Sequence, residues 1–263
     1  MTNYRIKIQY DGTRYHGWQR QKGDGTTIQG KIETALTRLT GSPVQIDGAG
    51  RTDAGVHARC QIANFRLNAE QESALIASAG QTECGKQALE QVLFEKLNEY
   101  LPEDIRILKA EAAGERFHSR LNATGKEYRY HLHKKGCYDV FTRKYSWQME
   151  EELDVAEMKK VAALLTGTYD FKGFCSKSSK KKSTVRTIHE IVIEENVTDI
   201  WLIFRGNGFL YNMVRILTGT LVEAGAGRRS IQSVRDALES GDRMCAGETA
   251  PAQGLTLWEV RYD

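Results

Sequence analysis

The string Gly50-Arg51-Thr52-Asp53-Ala54-Gly55-Val56-His57-Ala58 sets a carboxylate in a glycine-bounded turn, with a guanidinium two residues before it. Glycine admits backbone conformations that a side chain forbids, so Gly50 and Gly55 allow Asp53 to be aimed at a substrate. A neighbouring arginine favours the ionised carboxylate. Such a group is a usable nucleophile at neutral pH without an activating base. Aspartate and glycine are also common in surface turns, so the turn alone is more often structural than chemical. If residues 51–53 are extended, Arg51 and Asp53 point to the same side.

Basic residues interleaved with aromatic ones form a second signal. Arg116, Arg120, Lys126 and Arg129 lie among Phe117, Tyr128 and Tyr130, a mixture that suits phosphates and unstacked bases. Lys177, Lys180, Lys181, Lys182 and Arg186 fall in a Ser-rich stretch. The run Lys180, Lys181, Lys182 taken alone reads as a solvated loop. Formal net charge is only +3, so whole-molecule charge argues weakly for a nucleic-acid partner. Metal chemistry is not expected. His131 and His133 share a strand face, but no Cys or carboxylate lies at convenient metal spacing, so they read as a solvent-facing pair. His57 with Cys60 is too little for zinc. There is no Walker A loop and no zinc-deaminase pattern.

Two similar halves must position these residues. Residues 4–10 alternate, with Ile6, Ile8 and Tyr10 on one face, as in a half-buried strand. Ile28, Ile32, Ala35, Leu36 and Leu39 fall at helical spacing, ended by Gly41 and Pro43. Strands are expected near 44–46, over 57–67 and over 105–110. A helix carries Leu89, Val92, Leu93 and Leu97 and stops before Pro102. The order repeats further on. Tyr128, Tyr130 and Leu132 share one face of a strand over 126–133. Asp154 caps a helix closed by Gly167. Strands over 188–193 and 200–204 form a hairpin around 196–199. A helix over 210–223, a short one begun by Ser230 and a closing strand over 255–262 follow. Each half is β-α-β-β-α-β, the ferredoxin-like unit. The expected fold is therefore α+β, with two ferredoxin-like units whose antiparallel sheets face a central cleft. The expected domains are 1–113, carrying the Asp53 turn, and 114–263, carrying Tyr128 and Arg215.

The string around Asp53 resembles the nucleophile motif of the tRNA pseudouridine synthase A family. Other segments are similar in the family's order across nearly the whole chain. They are Tyr10-Asp11-Gly12-Thr13 with Gly17-Trp18-Gln19-Arg20-Gln21, Thr27-Ile28-Gln29, Leu97-Asn98, and Leu101-Pro102-Glu103-Asp104-Ile105. Phe117-His118-Ser119-Arg120 with Lys126-Glu127-Tyr128-Arg129-Tyr130 continues the match. So do Phe209-Leu210-Tyr211-Asn212-Met213-Val214-Arg215 and Thr249-Ala250-Pro251 with Gly254-Leu255. The resemblance implies conversion of uridine to pseudouridine in tRNA, roughly at positions 38–40 of the anticodon stem-loop, by a homodimer with no metal or other cofactor. Asp53 is then the nucleophile. Tyr128 lies beside the uracil, and Arg215 pairs with the nucleophile. Arg51 contacts a phosphate or fills the gap left by a flipped base. His118 and Arg120 are candidates to touch RNA, and Leu255 either walls the pocket or packs in the core. The segment 68–90 is longer than the family's pattern and reads as an extra helical excursion.

Length and composition bound the rest. With 263 residues, 40% hydrophobic and 27% charged, the chain suits one large or two modest soluble domains. No apolar run approaches the roughly 20 residues that span a bilayer, and no signal peptide is expected. Five dispersed cysteines suggest reduced thiols and a cytoplasmic location. Two other readings remain at this point, a non-catalytic RNA-binding module and a hydrolase of nucleoside N-glycosidic bonds.

Overall fold

A computed structural model describes residues 1–21, 26–80, 85–176 and 183–263. Lys177, Lys180, Lys181 and Lys182, and residues 81–84 of the longer segment, lie outside the described residues. The chain divides into two units. The first comprises 1–124 together with 259–263, and the second comprises 125–258. His118 and Arg120 thereby belong to the first unit. No described helix is long and apolar enough to cross a membrane.

The first unit contains β1 (Thr2–Tyr10), α1 (Ile28–Thr40), β2 (Asp47–Gly48), β3 (His57–Leu67), α2 (Ala69–Ser78), α3 (Lys86–Tyr100) and β4 (Ile105–Ala112). Its strands run in the order β4-β1-β3-β2, each antiparallel to its neighbour. Ile6, Ile8 and Tyr10 are buried on β1 while Lys7 and Gln9 are exposed, as their alternation requires. Thr27 caps α1, its side chain accepting from the Gly30 amide, and Gly41 ends the helix in the left-handed region. The longer segment supplies α2, opened by a reciprocal Asn68–Gln71 capping box. The strand expected over 44–46 pairs instead at Asp47–Gly48. The Ile46 amide donates to the Glu33 carboxylate and its carbonyl accepts from Gln29 Nε2, so α1 takes the bonds a ladder would use.

The second unit contains β5 (Gly125–His133), β6 (Trp147–Gln148), α4 (Val155–Leu165), β7 (Gly167–Asp170), β8 (Val185–Glu195), β9 (Asp199–Gly206), α5 (Met213–Gly225) and α6 (Ile231–Ser240). The last strand, β10 (Leu255–Arg261), begins here and ends in the first unit. Within the second unit the strand order is β10-β5-β9-β8-β7. β5, β9 and β8 are successively antiparallel, and β6 lies parallel to β5. Asp154 caps α4 by accepting from the amides of Ala156 and Glu157, as its sequence position predicts. Helix α5 starts at Met213 rather than 210 because Asn212 sits at φ +60°, outside the helical region. Tyr130, Leu132, Leu202, Phe204, Ile216, Leu217 and Leu221 are wholly buried and form the unit's core with α4. The architecture is thus α+β, with mostly antiparallel strands and six α-helices among the described residues.

Candidate active-site elements

The Asp53 turn is held by a second loop, residues 11–21, chiefly through backbone groups. The Trp18 amide donates to the Thr52 carbonyl (3.1 Å), and the Gly55 amide donates to the Tyr15 carbonyl (3.3 Å). Within the turn, the Val56 amide donates to the Asp53 carbonyl (3.1 Å). Gly55 takes φ +79°, the left-handed conformation its place in the motif anticipates. Gly17 (φ +89°) lets the loop approach closely, since a Cβ there would stand 2.6 Å from the Thr52 carbonyl oxygen. At Gly12 a Cβ would stand 2.0 Å from the Val56 carbonyl oxygen.

Side chains complete the clamp. The hydroxyls of buried Tyr10 and Thr52 share a hydrogen bond of 2.8 Å. Burial pushes the Tyr10 phenol well above its usual range. The Gly12 amide donates to His57 Nδ1 (3.0 Å), and Asp11 Oδ1 lies 3.1 Å from the same nitrogen. The loop is fixed from behind by Asp104. Its carbonyl accepts from the Asp11 amide, and its carboxylate accepts from Tyr15 and Arg14. Asp53 itself is half-buried and Arg51 is exposed. Arg51 Nε donates to Gln19 Oε1 (3.0 Å), so the 11–21 loop also orients the guanidinium.

His118 and Arg120 lie in a short segment anchored by its buried neighbour. The Ser119 amide donates to Asn64 Oδ1 (2.8 Å), its hydroxyl to the Asp47 carbonyl, and its carbonyl accepts from Tyr262 (2.6 Å). His118 Nδ1 accepts from the Arg120 amide (3.1 Å), and the Arg120 side chain is exposed.

In the second unit, Tyr128 is buried on β5 opposite Phe204, with its ring edge-on to Phe209 at 5.3 Å. Tyr130 is wholly buried beneath Gly254, its hydroxyl donating to the Pro251 carbonyl (2.7 Å). Its role is therefore packing, and burial raises its phenol far above the usual range. Arg215 is half-buried in the first turn of α5. Its Nε donates to the Ala250 carbonyl (2.7 Å), and an Nη donates to Asn212 Oδ1 (3.0 Å). The Ala250 amide returns a bond to the Arg215 carbonyl (3.2 Å), tying helix start to the β10 approach. Leu255 is buried at the start of β10.

Two partners in this arrangement escape motif reading. Asn212 is a non-glycine residue in the left-handed region whose amide oxygen steadies Arg215, and its position just before the helix was the available signal. Asp104 braces the 11–21 loop from a motif that otherwise reads only as a strand start. One expectation is corrected. His131 and His133 are not a solvent-facing pair, being 7% and 5% exposed, and a carboxylate does accompany them. Asp199 sits opposite His133 in the β5–β9 register, with Oδ1 2.7 Å from both His131 Nε2 and His133 Nδ1. Spacing along the chain could not show this, because the strand pairing supplies the contact.

The family model described as tRNA pseudouridine synthase matches residues 6–122 and 161–263. A curated relative from Bacillus sp. (strain KSM-64), named tRNA pseudouridine synthase A, is 43% identical over 262 residues, covering 100% of both chains. Relatives of the same name from Brevibacillus brevis and Thermoanaerobacter sp. (strain X514) are 42% and 40% identical, again over 100% of both chains. Among solved structures, a chain of a Cbf5-Nop10-Gar1 complex aligns over 97% of this chain and 48% of that one. Its TM-score is 0.40 at 12% identity, too distant to carry an argument. With the family model matching most of its length and full-length relatives at this identity, the chain belongs to the tRNA pseudouridine synthase family.

Proposed function

We propose that this chain is the isomerase that converts uridine to pseudouridine in tRNA, roughly at positions 38–40 of the anticodon stem-loop, with Asp53 as nucleophile. The reaction breaks the bond between uracil N1 and the sugar, turns the base, and joins the sugar to C5. The C5 proton leaves and N1 gains one, so the mass is unchanged and no redox partner is needed. The observation that carries this reading is the two-loop clamp on the Asp53 turn. A carboxylate fixed before the substrate arrives spends no binding energy on being ordered.

Tyr128 is the residue that meets the extruded base, by stacking and by proton transfer from its hydroxyl. Arg215 supplies the guanidinium the family places with the nucleophile, and Leu255 an apolar wall. Arg51, His118 and Arg120 bind the RNA backbone or the gap a flipped base leaves. The order β4-β1-β3-β2 in the first unit, and the corresponding β10-β5-β9-β8 in the second, support a ferredoxin-like reading of each, with α2 as an addition. In this reading the first unit carries the nucleophile turn, the second carries the tyrosine and arginine, and the protein works as a cytoplasmic homodimer.

The decisive measurement is tritium release from tRNA labelled at uridine C5. The intact protein releases tritium and Asp53→Asn does not, a loss of at least about 10⁴-fold. Comparable release by the variant would remove Asp53 from its role. Product analysis covers the remaining alternatives: an abasic site would mark a hydrolase, and tRNA binding without any product a silent binding module.

A further inference from the structure

We propose that His131, His133 and Asp199 form a binding site for a divalent transition-metal ion, with zinc the best fit. All three belong to the second unit, and their ligand atoms lie within 4.8 Å of one another. The two imidazoles project from one face of β5, and Asp199 is delivered from β9 by the strand register.

The outer nitrogens of both rings are already engaged. His133 Nε2 lies 2.5 Å from the Thr142 hydroxyl. That hydroxyl also lies 3.1 Å from Asp139 Oδ2. His131 hydrogen-bonds the Tyr145 backbone and stacks on Trp201 at 4.1 Å. The inner nitrogens then converge on one carboxylate oxygen. His133 Nδ1 is buried and makes no aligned hydrogen bond, although Asp199 Oδ1 lies 2.7 Å away. A metal ion off the line between the atoms engages all three ligands at once.

The donor set is two imidazoles and a carboxylate, which suits zinc and its neighbours in the first transition row. Outer-nitrogen hydrogen bonds are what fixes metal-ligating histidines in the correct tautomer. Tetrahedral zinc with bonds of about 2.0–2.2 Å spaces its ligands about 3.3 Å apart, so the cluster need open by only roughly 0.5 Å. The surrounding cleft is also lined by Cys137, a free thiol, and by Asp139. A metal here clips β5 and β9 together.

The test uses the full-length protein, stripped with chelator and dialysed against zinc. Elemental analysis should find one zinc per chain retained, the melting temperature should rise with zinc, and cobalt should give the visible absorption of low-coordinate Co(II). Retention should fall to background in His133→Gln and Asp199→Asn. Thr142→Val should weaken zinc about 10- to 100-fold, and exposed His189→Gln should leave it unchanged. A wild-type protein that retains no zinc and shows neither a thermal shift nor the cobalt spectrum overturns the proposal. So does full retention by folded His133→Gln or Asp199→Asn. Should those two fail to fold, wild-type titration and Thr142→Val decide alone.

Discussion

The Asp53 turn and the Arg215 helix start are held by opposite means. Around Asp53, backbone grips backbone: amides of Trp18 and Gly55 meet carbonyls of Thr52 and Tyr15, and glycines at 12 and 17 permit the approach. Around Arg215, side chain grips backbone: the guanidinium rests on the Ala250 carbonyl and on an asparagine that is itself in an unusual conformation. A backbone clamp tolerates most changes of side chain and none of added bulk. A side-chain clamp tolerates bulk nearby but fails when one amide is lost.

The sharpest way to break this contrast is Gly12→Ala. The new Cβ would overlap a backbone oxygen that no rotamer change can move, so stability should fall by roughly 2–4 kcal/mol in denaturant unfolding, with turnover falling alongside. Gly17→Ala adds a smaller overlap and a positive φ, and about 1–3 kcal/mol is expected. Unchanged melting and turnover in both would show that the loops do not depend on close approach.

Asn212 sharpens the other side. Asn212→Ala and Asn212→Gly both remove the bond to Arg215, and each should lower kcat about 10- to 100-fold. Only the alanine keeps a side chain in the left-handed region, so it should be about 1 kcal/mol less stable than the glycine variant. Equal stability of the two would dismiss backbone strain at this position.

Glu127, adjacent to Tyr128, offers a pH test. Its carboxylate is buried, which opposes ionisation, but Arg205 and Arg129 outweigh this and hold it below the usual carboxylate range. The folded state therefore binds this proton less readily than the unfolded state. The stabilisation is complete above the ordinary carboxylate range and drains as pH falls through the lower folded value. Glu127→Gln should cost about 1–3 kcal/mol at neutral pH. The gap to wild type should close in acid, and a constant gap across that window would exclude the ion pairs as its source. The smallest effect is expected from replacing Lys180, Lys181 and Lys182 with alanine. Affinity for tRNA should fall, and the log–log salt dependence should lose up to about 2–3 units of slope, with turnover at saturating tRNA preserved. A collapse in turnover with binding intact would give that run a different task.

The same contrast explains what could be read in advance. β1 and the Asp154 cap were legible because alternation and capping are local patterns. The Asp53 turn was legible because its residues are contiguous. The short β2, by contrast, moved because Gln29 and Glu33 on α1 took the bonds of Ile46. The start of α5 moved because of one dihedral at Asn212. The environment of His131 and His133 depended on a residue more than sixty positions away, brought in by register. In each case a long-range partner, or a conformation with no compositional mark, decided the outcome.

Residues 259–263 return to the first unit after the whole of the second has been traced. There the Arg261 carbonyl accepts from the Thr124 amide (2.9 Å), and Tyr262 packs on Phe117 while bonding the Ser119 carbonyl. On the ribosome, the segment bearing His118 and Arg120 consequently emerges long before its anchor. The first unit waits, unfinished, for the second to be translated. The unit that carries the Asp53 turn cannot be completed by vectorial folding alone, and an N-terminal fragment ending at Thr124 would lack that anchor. A permuted chain that carries residues 259–263 directly ahead of Met1 would supply it early.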